Sequence, residues 1–168
     1  MVRTTLVLGG ARSGKTARAL ALCPDPPRVY LATAQALDRE MTARIAAHRA
    51  ERSDGWETVE EPLDLVPALR TAAGEERTVL VDCLTLWLSN LMHSDRDPVA
   101  EGAMLAEALP VLPGRIVLVS NEVGMGLVPM EKLSRDFRDA QGRLNQTVAA
   151  ACDRVEFVAA GLPLVLKG

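Results

Sequence analysis

Short apolar runs alternate along the chain with longer segments in which apolar residues recur at helical spacing. This alternation is typical of an α/β fold, in which a mostly parallel sheet has helices packed on its faces. Five apolar runs predict strands, at residues 4–8, 28–33, 56–60, 78–82 and 115–120. Six periodic segments predict helices, at residues 15–22, 37–52, 62–73, 84–92, 98–109 and 131–152. The last two apolar runs, VEFVA and LPLVLK, flank Gly161 and predict a C-terminal antiparallel hairpin.

A glycine-rich motif joins the first predicted strand to the first predicted helix. The segment GGARSGKT at residues 9–16 satisfies G-x-x-x-x-G-K-[ST] between a strand and a helix, where the motif binds phosphates. Gly9 and Gly14 let the backbone curl until successive N–H groups point at the phosphates, and the helix dipole adds to the attraction. Lys15 can reach the β- and γ-phosphates, and the Thr16 hydroxyl can ligate Mg²⁺. The sequence therefore predicts a P-loop domain that binds a nucleoside triphosphate, the alternative being a glycine turn that only connects two elements.

A carboxylate closes the apolar strand TVLVD. P-loop proteins hold magnesium, directly or through water, with an aspartate at the end of such a strand. Asp82 is therefore predicted to be the second magnesium residue. The alternative is an ordinary strand cap, because many buried strands end in a carboxylate.

Composition narrows the class of protein further. A chain of 168 residues with 48% hydrophobic residues suits one globular domain, residues 1–168. The net charge of −3 and the five aromatic residues argue against a nucleic-acid partner. Three distant cysteines without a CxxC pair indicate reduced thiols, and no apolar stretch is long enough for a membrane helix. We therefore expect a cytoplasmic protein with no membrane contact.

Only two histidines occur in the chain. His93 lies in the polar turn HSDRD and is predicted to be a solvated surface residue. His48 lies on the predicted second helix with Arg44 and Arg52 four residues away on either side, a surface that would attract a triphosphate. Nearby cations favour the neutral, nucleophilic imidazole. On the residues alone, an ordinary half-exposed histidine of an amphipathic helix is the simpler interpretation.

The loop NEVGMGLVP follows a buried strand at residues 121–129. Loops that leave the carboxyl ends of strands in an open parallel sheet lie on the ligand side of the domain. Its two glycines suggest close backbone approach or movement.

Several segments, in order from residue 9 to about residue 151, together resemble one enzyme family. They are GGARSGKT, VYLATA, MTARIAAHR, WETVEEP, VLVDCLTLWLSNLM, VSNEVGMGLVP and FRDAQGRLNQ. The family is the bifunctional adenosylcobinamide kinase/adenosylcobinamide-phosphate guanylyltransferase of cobalamin biosynthesis. The P-loop alone is generic, whereas the His-Arg helix followed by WETVEE and the pair NEVGMGLVP and FRDAQGRLNQ are more specific. The resemblance makes the functional interpretation of His48 the preferred one.

The resemblance implies two reactions at one P-loop site. A hydroxyl of adenosylcobinamide takes the γ-phosphoryl group of ATP or GTP, and a histidine, here His48, then carries GMP from GTP to the new phosphate. The catalytic residues would be His48 and Lys15, and the metal residues Thr16 and Asp82. The implied nucleotide-binding residues are Gly9, Gly10, Ala11, Arg12, Ser13, Gly14, Lys15, Thr16, Ala32, Thr33, Ala34, Arg49, Ala50, Glu51, Arg52, Glu60 and Asp82.

The resemblance also implies a RecA-like P-loop fold and a homotrimer. Residues 121–129 and 138–145 are candidates to contact the corrinoid. Two departures occur: Ser53 stands where the family commonly has proline, and Thr16 where serine is common. Two alternatives remain, a P-loop small-molecule kinase in which His48 is structural and a nucleotide-operated switch without a small-molecule acceptor.

Overall fold

A computed structural model describes residues 2–23, 25–35, 39, 42, 43, 46, 50 and 54–168. In these ranges seven strands form one sheet in the order β3-β2-β4-β5-β1-β6-β7. The strands are β1 Thr4–Gly9, β2 Arg28–Ala32, β3 Trp56–Glu60, β4 Thr78–Asp82, β5 Arg115–Asn121, β6 Arg154–Ala159 and β7 Leu162–Lys167. Neighbouring strands pair in parallel except β7, which pairs antiparallel with β6. The predicted α/β class and the C-terminal hairpin are therefore confirmed.

Five helices whose two ends are both described pack against the sheet. They are α1 Lys15–Ala21, α2 Leu65–Ala72, α3 Leu84–His93, α4 Pro98–Ala108 and α5 Lys132–Ala151, with a short 3₁₀ turn at Leu109–Val111. The predicted helix at 62–73 begins later than expected. Glu61 Oε1 accepts hydrogen bonds from the N–H groups of Leu63 and Asp64, both at 2.9 Å, and so holds these residues in a turn. The predicted helix at 37–52 lies largely outside the described residues.

The two faces of the sheet pack against different helices. One face buries apolar side chains such as Leu6, Leu118 and Val81 against α2, α3, α4 and α5. The other face buries a smaller set, including Val7 and Val119, against α1. We call this second surface the α1 face. Because side chains alternate along a strand, every second residue after Val7 or Val119 also lies on the α1 face.

No helix in the described part of the chain is long and apolar enough to cross a membrane.

Candidate functional site

The P-loop connects β1 to α1 at the carboxyl edge of the sheet, and its glycines are required by space. A Cβ atom at Gly9 would overlap Ser13 Oγ and lie 2.7 Å from the carbonyl oxygen of Val158. Gly14 has φ of 94°, in the left-handed region, and a Cβ there would lie 3.0 Å from Gly161 Cα. The tight curl expected from the motif is therefore present.

The inside of this loop is arranged to receive an anion. Lys15 Nζ donates a hydrogen bond to the carbonyl oxygen of Gly10 at 3.0 Å, so the ammonium group lies against the loop itself. No atom lies within 4 Å of a Cβ position on Gly10. Helix α1 has no side-chain cap and no acidic residue in its first turn, which leaves the positive end of its dipole for a ligand.

Two backbone hydrogen bonds hold the loop from outside. The N–H of Glu122, the first residue after β5, donates to the carbonyl oxygen of Gly9 at 3.0 Å. The N–H of Gly161, in the turn between β6 and β7, donates to the carbonyl oxygen of Ser13 at 2.8 Å. The phosphate loop is thus fixed between the centre of the sheet and the C-terminal hairpin.

Strand register brings three of the predicted site residues into one row. Ala32 on β2 is aligned with Glu60 on β3 and with Asp82 on β4. All three lie at the carboxyl edge, and alternation from Tyr30, Trp56 and Leu80, which pack on the α1 side, places them on the α1 face. Residues separated by up to 50 positions in sequence therefore share the edge from which the P-loop emerges.

Asp82 has a partner that sequence reasoning did not identify. The hydroxyl of Tyr30, a buried residue of β2, donates a hydrogen bond to Asp82 Oδ2. The Tyr30 ring also packs edge-on against Trp56, with ring centroids 6.0 Å apart. Tyr30 stands two positions before Ala32, so its place on the same face was a usable signal. This contact fixes the orientation of the carboxylate.

The Thr33 side chain makes its hydrogen bonds to backbone groups of the protein. Thr33 is buried, and its Oγ1 donates to the Cys83 carbonyl oxygen at 2.7 Å and accepts from the Cys83 N–H at 2.9 Å. Its own carbonyl oxygen accepts from Asn90 Nδ2 at 2.8 Å. Thr33 therefore fixes the ends of β2 and β4 to each other.

The thiol beside Asp82 is not prepared for nucleophilic attack. Burial raises the pKa of Cys83 to about 11, with a smaller contribution from the neighbouring Asp82 charge. The thiol is therefore protonated at neutral pH, and the thiolate is the reactive form.

Most of the predicted histidine helix lies outside the described residues. His48, Arg49, Glu51 and Arg52 lie outside the described residues, and Ala50 is described as exposed. His93 is exposed at the end of α3, where its Nδ1 lies 2.7 Å from the Ser89 carbonyl oxygen. Its predicted surface position is confirmed.

Among the described residues, magnesium has a partial set of protein ligands, which phosphate oxygens of a bound nucleotide and water would complete. No group of three or more His, Cys, Asp or Glu residues among them could hold a metal. Mg²⁺ is usually held by one or two carboxylates together with substrate phosphates and water. The hydroxyl of half-buried Thr16 and the oriented Asp82 carboxylate suit such a partial set.

Comparison with known proteins gives a family match over nearly the whole chain. Residues 5–166 match the model of the family described as cobinamide kinase / cobinamide phosphate guanyltransferase. The bifunctional adenosylcobalamin biosynthesis protein CobP of Pseudomonas aeruginosa is 53% identical over 168 residues, covering 97% of this chain and 96% of that protein. The bifunctional adenosylcobalamin biosynthesis protein CobU of Escherichia coli is 42% identical over 178 residues, covering 96% of this chain and 98% of its own.

Solved structures with little sequence identity share the fold. A Pyrococcus horikoshii OT3 protein aligns with a TM-score of 0.58 at 9% identity, covering 100% of this chain and 88% of that one. The P4 protein from bacteriophage phi6, solved in complex with ADP, aligns with a TM-score of 0.50 at 13% identity. That alignment covers 96% of this chain and 52% of the phage protein, so this chain spans about half its length. These likenesses support the P-loop fold class.

Proposed function

The chain belongs to the family of cobinamide kinase / cobinamide phosphate guanyltransferase, and on that premise we propose which reactions its site performs. It phosphorylates adenosylcobinamide with ATP or GTP, and then transfers GMP from GTP through a guanylyl-histidine to give adenosylcobinamide-GDP. The observation that carries the proposal is the P-loop with Lys15 at the same sheet edge as Asp82, Ala32 and Glu60.

In the first reaction the protein mainly positions and neutralises the phosphates. The acceptor hydroxyl oxygen forms a bond to the γ-phosphorus, and the bond from that phosphorus to the β–γ bridging oxygen breaks with its electron pair on the departing diphosphate. The hydroxyl proton passes to solvent. Lys15 and the loop N–H groups stabilise the charge on the phosphates. Bound magnesium, held by Thr16 and Asp82, would add charge neutralisation to the β- and γ-phosphates.

In the second reaction an imidazole nitrogen of His48 attacks the α-phosphorus of GTP, and pyrophosphate leaves with the electron pair of the broken bond. An oxygen of the corrinoid phosphate then attacks the same phosphorus, and the bond to the imidazole breaks. Support for His48 comes from its flanking arginines and the family resemblance, and from the exposed position of the other histidine, His93. The change of reacting phosphorus explains why a second catalytic group is needed.

The remaining expectations complete the proposal. The nucleotide contacts are the P-loop residues 9–16, residues 32–34 and 49–52, Glu60 and Asp82. The homotrimer, the cytoplasmic location and the single domain over residues 1–168 stay predictions from the sequence.

The decisive experiment uses GTP labelled at the α-phosphorus. The wild-type protein should acquire acid-labile, base-stable label, and His48→Asn should abolish that label while leaving γ-phosphoryl transfer from ATP intact. His93→Asn is the matched control, because it removes an exposed imidazole from α3, and it should take up label like the wild type.

Other outcomes assign the alternatives. Normal labelling of the His48→Asn protein would refute the role of His48. Kinase turnover without any covalent GMP in the wild type would indicate a simple P-loop kinase. Nucleotide hydrolysis that ignores added cobinamide but responds to a protein partner would indicate a switch.

A further inference from the structure

Asn121, the residue that ends β5, lies between the strand that leads to the P-loop and the strand that ends at Asp82. Strand β5 is inserted between β1, which leads to the P-loop, and β4, which ends at Asp82. Asn121 is aligned with Gly9 on β1, and Val119 is aligned with Asp82 on β4. Val119 lies on the α1 face, so alternation places the Asn121 side chain on that face as well. The Asn121 carboxamide is therefore at the edge shared by the phosphate loop and the magnesium carboxylate.

The backbone of Asn121 is held on both sides. Its N–H donates to Thr85 Oγ1 of α3 at 2.8 Å, and its carbonyl oxygen accepts from Asn145 Nδ2 of α5 at 3.0 Å. The next residue, Glu122, is bonded through its N–H to Gly9. Within the described part of the chain, the hydrogen bonds that Asn121 makes with side chains use its backbone alone. The backbone that carries this carboxamide is thus fixed, and its amide group is left for a ligand.

A buried polar cluster behind the sheet supports this placement. Asn145 Oδ1 accepts from Ser120 Oγ at 2.7 Å and from Gln141 Nε2 at 2.9 Å, and Gln141 Nε2 also donates to Ser120 Oγ at 3.0 Å. Ser120 and Gln141 are fully buried, and Gln141 Oε1 has no partner within the part of the chain described. An unsatisfied buried acceptor costs free energy of folding. We therefore infer that the main role of the cluster is to hold the end of β5 in place, and not to raise the free energy of unfolding.

From this geometry we propose that Asn121 is a further catalytic residue for phosphoryl transfer, whose Nδ2–H group donates to a nonbridging oxygen of the terminal phosphate. The proposal rests on the proposed function above, and Asn145 is the positioning residue behind it. The bond changes are those of the kinase step: a new bond from the acceptor oxygen to the γ-phosphorus, and loss of the bond to the β–γ bridging oxygen with its electrons on the diphosphate. A neutral donor fixed beside developing negative charge stabilises the transition state without reorganising.

The proposal separates the two activities of the enzyme. Attack by the acceptor hydroxyl occurs at the γ-phosphorus, whereas attack by the histidine occurs at the α-phosphorus. A donor placed for the terminal phosphate should therefore matter for the first reaction and little for the second. A residue that merely holds the fold together would affect both.

The experiment compares Asn121→Ala and Asn121→Asp with the wild type in both reactions. We expect Asn121→Ala to lower kcat of phosphoryl transfer by about 100-fold, the usual effect of losing one such donor, with KM for the nucleotide changed much less. Asn121→Asp should lose more, because a carboxylate repels the phosphate. Covalent labelling by GTP labelled at the α-phosphorus should stay near the wild-type level in both variants. Gln146→Ala, which removes an exposed amide from α5, is the control and should match the wild type in both assays.

The outcomes are distinguishable. A wild-type kcat in Asn121→Ala, or an equal loss in both reactions, would overturn the role of Asn121. If the alanine variant does not fold by circular dichroism, Asn121→Asp and Asn121→Ser supply the same comparison. If wild-type protein fails to phosphorylate adenosylcobinamide, the proposed function fails, and Asn121 is then tested by release of γ-phosphate to water, which the substitutions should slow by a similar factor.

Discussion

At the residue scale, the two glycines that open the phosphate loop have opposite surroundings. Gly9 is enclosed, since a Cβ there would overlap Ser13 Oγ and approach the Val158 carbonyl oxygen to 2.7 Å. Gly10 has open space where its Cβ would be. The packing of the loop therefore requires glycine at position 9, whereas the space beside Gly10 is open to a ligand.

The substitution pair Gly9→Ala and Gly10→Ala tests this difference in the protein without nucleotide. Gly9→Ala should lower the free energy of unfolding by about 1–3 kcal/mol, because backbone must move to admit the methyl group. Gly10→Ala should change it by less than about 1 kcal/mol. Urea denaturation of the three proteins measures both values, and equal losses would contradict the difference in space.

Single residues of the site were predictable where the signal is local. The phosphate loop is recognisable from eight consecutive residues, and Asp82 from the strand that it ends. Tyr30 was not identified as a site residue, and Asn121 was expected only within the candidate corrinoid segment, because their places beside Asp82 and the phosphate loop depend on register with strands far away in sequence. His48 itself lies outside the described residues, so its role stays a prediction.

At the scale of elements, a lysine of the last strand, β7, caps the carboxyl end of α5, the longest of the described helices. Lys167 at the end of β7 donates from Nζ to the carbonyl oxygens of Ala149, Ala150 and Cys152, at 3.1, 2.9 and 2.6 Å. These carbonyl groups belong to the carboxyl end of α5, where a helix lacks internal partners and attracts positive charge. One ammonium group thus joins the hairpin to the helix that carries the Gln141 and Asn145 cluster.

Lys167→Met should therefore destabilise the protein by about 1–3 kcal/mol, because three carbonyl groups lose a charged donor. Lys132→Met at the other end of α5 is the control. Lys132 is 79% exposed and pairs with Asp136 on the surface, so its loss should cost less than about 0.5 kcal/mol. Chemical denaturation compares the two, and a similar effect from both would show that the cap at Lys167 contributes little.

Elements were predictable in kind and position because apolar runs and helical periodicity are local properties. All seven strands of the sheet agree with the predicted runs to within one residue at each end. The start of α2 was predicted three residues early, because Pro62 is a good helix starter and the turn made by the Glu61 carboxylate is a tertiary detail of geometry.

At the scale of the whole molecule, one buried carboxylate connects the two ends of the described chain. Glu156 on β6 is fully buried and accepts hydrogen bonds from Arg18 on α1, at 2.7 and 2.9 Å, and from Arg154 at 2.8 Å. The hydrogen bonds from Arg18, and to a smaller extent from Arg154, lower the pKa of Glu156 to about 2 despite burial. The helix that follows the phosphate loop is thereby fixed to the C-terminal part of the sheet.

The lowered pKa of Glu156 predicts the direction of acid sensitivity. The native state binds this proton less readily than the unfolded chain, so the stabilisation is fully present above about pH 4.5 and is lost as the pH falls toward about 2. A shift of this size corresponds to about 3 kcal/mol. Glu156→Gln should lower stability at pH 7 and flatten the pH dependence between these limits, because two arginines then lack their partner.

Urea denaturation between pH 7 and pH 2 measures this effect. Glu107→Gln, on the exposed side of α4, should keep the wild-type profile. The same pH dependence in the wild type and in Glu156→Gln would exclude Glu156 as the cause of acid sensitivity.

Strand order is the property of the whole molecule that sequence left open. A mostly parallel sheet was predictable from the alternation of elements, but no local pattern says that β5 lies between β1 and β4. That order depends on how helices pack across the faces, and it decides which strand ends meet at the site. Because β1 pairs with β6 and β5 alike, we propose that the described residues unfold as one unit.

The hydrogen bond from the Gly161 N–H to the Ser13 carbonyl oxygen couples anion binding in the phosphate loop to opening of the C-terminal hairpin. If opening of the hairpin weakens anion binding, an anion in the loop must oppose that opening by the same free energy, since coupling is reciprocal. Occupancy of the loop would then be reported by the hydrogen-exchange rate of an amide outside the motif. Hydrogen exchange at the hairpin would thus show whether a nucleotide occupies the phosphate loop.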